Sequence, residues 1–205
     1  MSERKNLTQR RKAATELEIA KAAAALFARQ GIESTTVESI ADQAGISLRT
    51  FYRYFPTKEE SLAPLMQVGA EVWQKTLRNE APGSLRERID TTLATTLDAS
   101  VFETGDSGTA MHELLALRQA NQGIEDVWQR VNTRSEHVLA QRLQEIEPEL
   151  SQRTAKLWAA AATCSIRLAL EDWAEEVHPG TVDVAALARE NFTWLSAGIK
   201  YPQGR

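Results

Sequence analysis

Apolar positions in this chain recur at steps of three and four, and no segment alternates convincingly at period two. That rhythm predicts helices and no sheet. Ile19, Ala23, Leu26 and Phe27 form one stripe over roughly residues 11–29, which stops at Gly31. Val37, Ile40, Ala41 and Ala44 fall at i, i+3, i+4 and i+7, on one face of a second helix. Thr36 stands before it as an N-cap, and Gly45 follows its last turn, where a left-handed residue is least costly. Ser47 caps a third helix, with Phe51 and Phe55 facing the core and Ile46 packing beside them. Arg49, Thr50, Tyr52, Arg53 and Tyr54 are left pointing elsewhere. The pattern predicts a helix-turn-helix whose inner face is buried by the preceding helix.

Beyond residue 57 the punctuation is supplied by Pro82-Gly83, Gly105, Gly108, Gly123, Pro148 and Pro179-Gly180. Helices are expected near 58–78, 84–99, 109–120, 124–145, 149–176 and 182–198, with 199–205 fraying. Thr57 to Glu60 and Ser84 to Glu87 both read as capping boxes. Pro64 falls inside the fourth helix, where a missing donor predicts a kink or an interruption. The fold class is therefore all-α, with about nine helices. Residues 1–57 form the helix-turn-helix domain, with 1–10 as a flexible basic arm, and 58–205 form a second helical domain.

Charge changes the picture. Residues 1–58 hold ten Lys/Arg and six Asp/Glu, a net of +4, whereas the whole chain is −4. The remaining residues therefore carry −8. No Asp or Glu occurs from Ser47 to Phe55, where an ordinary solvated face would mix signs. An ordinary helical hairpin with a solvated outer face also fits the spacing. The preceding helix, the basic end and the acid-free face favour a nucleic-acid-binding tip instead.

The runs G-I-E-S-T-T-V-E-S-I-A-D-Q-A-G-I-S and T-F-Y-R-Y-F-P-T-K-E-E-S-L, preceded by I-A-K-A-A-A-A-L-F-A-R-Q-G, resemble the N-terminal domain of the TetR family of bacterial transcriptional regulators. About 50 residues carry the likeness. It implies that Ser47–Phe55 is the recognition helix and that Thr36, Ser47, Thr50, Tyr52 and Lys58 meet phosphates. Arg49 and Arg53 are candidates for base or phosphate contact, since arginine reads guanine O6 and N7 bidentately. Tyr54 joins this set, and half-buried packing is the other reading of both Tyr52 and Tyr54. Leu48-Arg49 departs from the usual small or Gly-containing pair, so no operator sequence carries over.

Two late helices point to a second copy of the chain. Leu150, Thr154, Leu157, Ala161, Cys164 and Leu168 follow alternating steps of four and three, and Val184, Leu187, Asn191, Trp194 and Gly198 do likewise. Trp158, Ala162 and Leu170 add apolar surface on other sides, so the first of these helices must be buried more than once. An intrachain core is one explanation. A homodimer joined by a four-helix bundle is the other, and the resemblance implies it too. Leu157, Ala161, Cys164, Leu168, Leu187, Asn191 and Trp194 are its expected interface. Two-fold symmetry then calls for a palindromic operator on double-stranded DNA.

The resemblance further implies a pocket for a small-molecule effector within the middle helices. Trp73, Phe102, Met111, Leu114, Leu115, Trp128 and Trp158 are candidate walls, each also readable as plain core. His112, Arg118 and Thr91, Thr92, Thr95 and Thr96 are candidate polar groups.

Catalysis finds little support. His112, His137 and His178 lack metal-ligand spacing, and the one cysteine, Cys164, cannot form an intrachain disulfide. No Gly-rich phosphate loop or G-x-S-x-G elbow occurs. Neither a cofactor nor a metal is expected. No apolar run approaches the ~18 residues of a membrane span, and a cytoplasmic protein is expected. The reading is a ligand-responsive regulator, most simply a repressor. A helical interaction scaffold that does not bind an operator is the alternative.

Overall fold

The computed structural model describes residues 2–78, 83–97, 106–175 and 183–200. Among them the chain is helical, with no strand: α1 (Ser2–Gln30), α2 (Val37–Gln43), α3 (Leu48–Tyr54), α4 (Ala63–Arg78), α5 (Leu85–Thr96), α6 (Asp106–Ala120), α7 (Gln122–Ile146), α8 (Gln152–Glu175) and α9 (Val184–Ser196). They fall into two compact units, Met1–Val68 with Leu117–Trp128, and Gly69–Ala116 with Gln129–Arg205.

In the first unit α1 begins at Ser2, so the basic residues expected in an arm over 1–10 lie on the first turns of this helix. No Pro or Gly interrupts residues 2–30, so nothing in the backbone chemistry stops the helix from propagating toward the N-terminus. Gly31, at φ +80°, ends it. Ile19, Ala23, Leu26 and Phe27 of α1 are buried, as are Ile40 and Ala41 of α2, Phe51 of α3 and Leu62, and α1 packs on α2, which packs on α3. Truncating Phe51 to Ala would remove one of the largest side chains here, at a cost of about 3–5 kcal/mol.

Pro64 does not kink a helix. A 3-10 turn, Glu60–Leu62, precedes α4, so Pro64 is the second residue of that helix. In a first turn the missing N–H has no intrahelical acceptor to lose. Thr57 Oγ1 accepts the Glu60 N–H at 3.2 Å, so the expected cap serves the 3-10 turn rather than α4 itself.

The second unit is bound across its helices by charge as well as apolar contact. Its core includes Trp73, Ile89, Leu93, Leu139, Leu143, Trp158 and Phe192. α9 packs on α8 and α5, with the Trp158 and Phe192 rings 5.9 Å apart. Arg189 grips Asp90 of α5 bidentately at 3.0 and 2.8 Å, and this pairing raises the Arg189 pKa. Arg88 meets Glu147 at 2.8 Å. Gln74 donates to the hydroxyl of Ser135 at 2.8 Å, both residues being buried. Ser84 caps α5 in a reciprocal box with Glu87, as its sequence predicts.

Candidate nucleic-acid interface

The turn between α2 and α3 is fixed by backbone geometry that the sequence encodes locally. Thr36 caps α2 by accepting the Ser39 N–H at 3.2 Å, while the Ser39 hydroxyl accepts the Thr36 N–H. At the other end Gly45, at φ +66°, donates to the Asp42 carbonyl, and Ile46 donates to the Ala41 carbonyl. These two bonds are a Schellman motif, which satisfies carbonyls that the helix end would leave unpaired. Ser47 then caps α3 by accepting the Thr50 N–H at 3.2 Å, and its hydroxyl lies 2.9 Å from that of Thr50.

With Phe51 and Phe55 turned into the core, their rings 5.9 Å apart, the opposite side of α3 is open. Arg49 and Arg53 are exposed, Thr50 and Tyr54 are half-buried, and Tyr52 is 53% exposed. Arg49 has no hydrogen-bond or ion-pair partner among the described residues. The Arg53 guanidinium sits over the Tyr54 ring, 5.1 Å from its centroid, a cation–π contact that positions this cation. Tyr52 rests edge-on against Phe51 at 5.7 Å, leaving its other side exposed. The face thus presents two guanidinium groups, hydroxyls and an aromatic edge, with no carboxylate to neutralise them.

Lys58, expected to meet phosphate, is held within the first unit. Its Nζ donates to the carbonyls of Ile32 at 2.6 Å and Thr35 at 3.0 Å. Two of its three donors are therefore spent on the turn between α1 and α2, next to the Thr36 cap. Arg29 reaches Gln43 at 3.4 Å, a link between α1 and α2 that spacing did not suggest. Leu48 was also missed as a surface group. Its place on the Phe51–Phe55 spacing suggests core, yet it is 38% exposed.

Residues 19–63 match the family described as bacterial regulatory proteins, tetR family. These residues form a TetR-family head. Over 50 residues the chain is 44% identical to the HTH-type transcriptional repressor KstR2 of Mycobacterium tuberculosis, covering 24% of this chain and 25% of that protein. The similarity thus spans about a quarter of the relative's length. Two solved structures share the fold over nearly the whole chain. The fatty acid degradation regulator FadR of Bacillus halodurans is 21% identical, with a TM-score of 0.55 over 91% of this chain and 97% of its own. Thermus thermophilus FadR, a TetR-family repressor in complex with lauroyl-CoA, is 21% identical, with a TM-score of 0.52 over 92% and 97%.

Outside the TetR-family head, the expected interface residues keep part of their surface. Trp194 is 68% exposed and Leu157 48%, and the neighbouring Leu195 is 45% exposed. Cys164, Leu168, Leu187 and Asn191 are half-buried, whereas Ala161 is buried within the chain. Of the expected pocket residues, Trp73, Leu114, Leu115 and Trp158 are buried in the second unit. His112, in the same unit, stands edge-on to Trp173 at 4.9 Å, with its Nε2 buried and unpartnered. Trp128 and Arg118 belong to the first unit, where Arg118 pairs with Glu125 at 3.1 Å. Phe102 and the side chain of Met111 lie outside the described residues. The hydroxyls of Thr92, Thr95 and Thr96 donate to carbonyls of α5 itself, which commits their protons and leaves their oxygens as acceptors. No group of three or more metal-ligating side chains occurs among the described residues, and no described helix is long and apolar enough to cross a membrane.

Proposed function

We propose that this chain is a cytoplasmic, ligand-responsive transcriptional regulator: a homodimeric repressor that leaves a palindromic operator when a small molecule binds. The observation that carries the reading is the acid-free outer face of α3, with Arg49 exposed and unpaired on a TetR-family head. Arg49 takes a base edge, Arg53 and Tyr54 approach the backbone as a stacked pair, and Thr50 and Tyr52 offer hydroxyls to phosphates. Thr36 and Ser47 already cap helices, so they approach phosphate from positions that their caps hold fixed. Functionally, residues 1–57 read DNA and residues 58–205 bind the effector and a second copy.

Trp194, Leu157 and Leu195 support the dimer, because large apolar groups exposed on two late helices lose water when they meet their copies. A two-fold dimer sets its recognition helices about 34–36 Å apart, or a multiple of one helical turn. The effector acts only through its preference for the arrangement that fits the groove poorly. Tenfold weaker operator binding requires about 1.4 kcal/mol of such preference.

Selection of genomic fragments on immobilised full-length protein tests the reading. Enrichment of a palindrome supports it. Recovery of fragments without any shared sequence overturns it.

A further inference from the structure

Leu48 is an apolar side chain that the core leaves unclaimed. Phe51 and Phe55 on the same spacing are 0% and 7% exposed, whereas Leu48 stays 38% exposed. Leu48 and Tyr52 are four residues apart and form one row on the helix surface, with Arg49 and Arg53 as the adjacent row. The part of α3 outside the core therefore carries both an exposed apolar group and an exposed guanidinium that has no partner of its own among the described residues. The absence of any acid on this face argues for a polyanionic surface rather than a protein groove as its occupant.

On base edges in a major groove the apolar group is the C5 methyl of thymine, while guanine presents the two acceptors that suit arginine. We propose that Leu48 is a specificity-determining residue: it packs on a thymine methyl in each half-site, beside a guanine taken by Arg49. This inference rests on the operator-binding reading above. It fixes one base by shape and apolar contact, which no phosphate contact on this helix could do.

The test uses full-length protein and an operator obtained by selection from random duplexes. Each thymine is replaced in turn by deoxyuridine, which removes the methyl and keeps the pairing. Wild-type protein is expected to lose about fourfold in affinity per half-site at one thymine, the factor that one buried methyl is worth. Leu48→Ala should bind the operator more weakly and be indifferent to that same replacement. Leu48→Met, which keeps an apolar side chain, should remain sensitive and guards against an effect of folding alone. Equal tolerance of uracil by wild type and Leu48→Ala at every position, or an equal loss in both, overturns the methyl contact while the operator reading stands. A selection that enriches no sequence overturns both.

Discussion

Lys58 Nζ lies 2.6 Å from the carbonyl oxygen of Ile32, a contact that spans 26 residues of sequence. With the second bond to Thr35, it fastens the segment leading into α4 to the turn that carries the Thr36 cap. Lys58→Met should therefore destabilise the TetR-family head by roughly 1–2 kcal/mol, the lower range for hydrogen bonds from a charged, half-exposed donor. Denaturant unfolding followed by helicity measures this. The slope of log affinity against log salt should stay within half a unit of wild type. A fall of about 0.9 for each of the two heads would instead assign the lysine to a phosphate.

Gly45 makes a second structural prediction. A Cβ added there meets nothing within 4 Å, yet the residue sits at φ +66°. Gly45→Ala should cost about 1–2 kcal/mol from backbone strain alone. Gly45→Asn should cost less, because asparagine tolerates this region better. Equal stability of glycine and alanine proteins in urea would contradict the turn geometry.

These two residues show what the sequence could and could not disclose. Thr36, Gly45 and Ser47 act on backbone within a few residues of themselves, so the α2–turn–α3 unit was legible from spacing. The hydrophobic period gives no mark for a preceding 3-10 turn, so it places Pro64 inside a helix from residue 58 and predicts a kink or an interruption there. Only the start of α4 at Ala63 turns the proline into a first-turn residue. The Lys58 bonds and the Arg29–Gln43 link join residues far apart in sequence, and no periodicity encodes them. Leu48 shows the converse, since a core spacing at the start of a short helix does not guarantee burial.

The Ser84–Glu87 box supplies a pH prediction. Bonds from the Ser84 backbone and hydroxyl lower the Glu87 pKa. A carboxylate depressed on folding contributes stability above its unfolded pKa and loses it as pH falls through the folded value. Glu87→Gln should thus be less stable than wild type at neutral pH, with the difference shrinking below the ordinary glutamate range. Thermal melts across acidic to neutral pH measure it. A constant difference would remove charge from the cap. Ser84→Ala should cost about 1 kcal/mol at neutral pH.

Trp194 is 68% exposed in one chain, and the proposed dimer is what covers it. Trp194→Glu should give monomers by sedimentation and operator binding at least tenfold weaker, since one head cannot span two half-sites. Unchanged mass would take Trp194 out of the interface.

The reading face of α3 is the central claim, and Arg49→Ala tests it most directly. Affinity for the selected operator and for a random duplex of equal length is measured by fluorescence anisotropy over a salt series. The account predicts that wild type prefers the operator, with a steep salt slope on both duplexes. The variant should lose about 1–3 kcal/mol of that preference while its affinity for random DNA holds. Equal losses on both duplexes would assign Arg49 to a phosphate, and an unchanged affinity for both would show that this face of α3 does not meet DNA; either result contradicts base reading by Arg49.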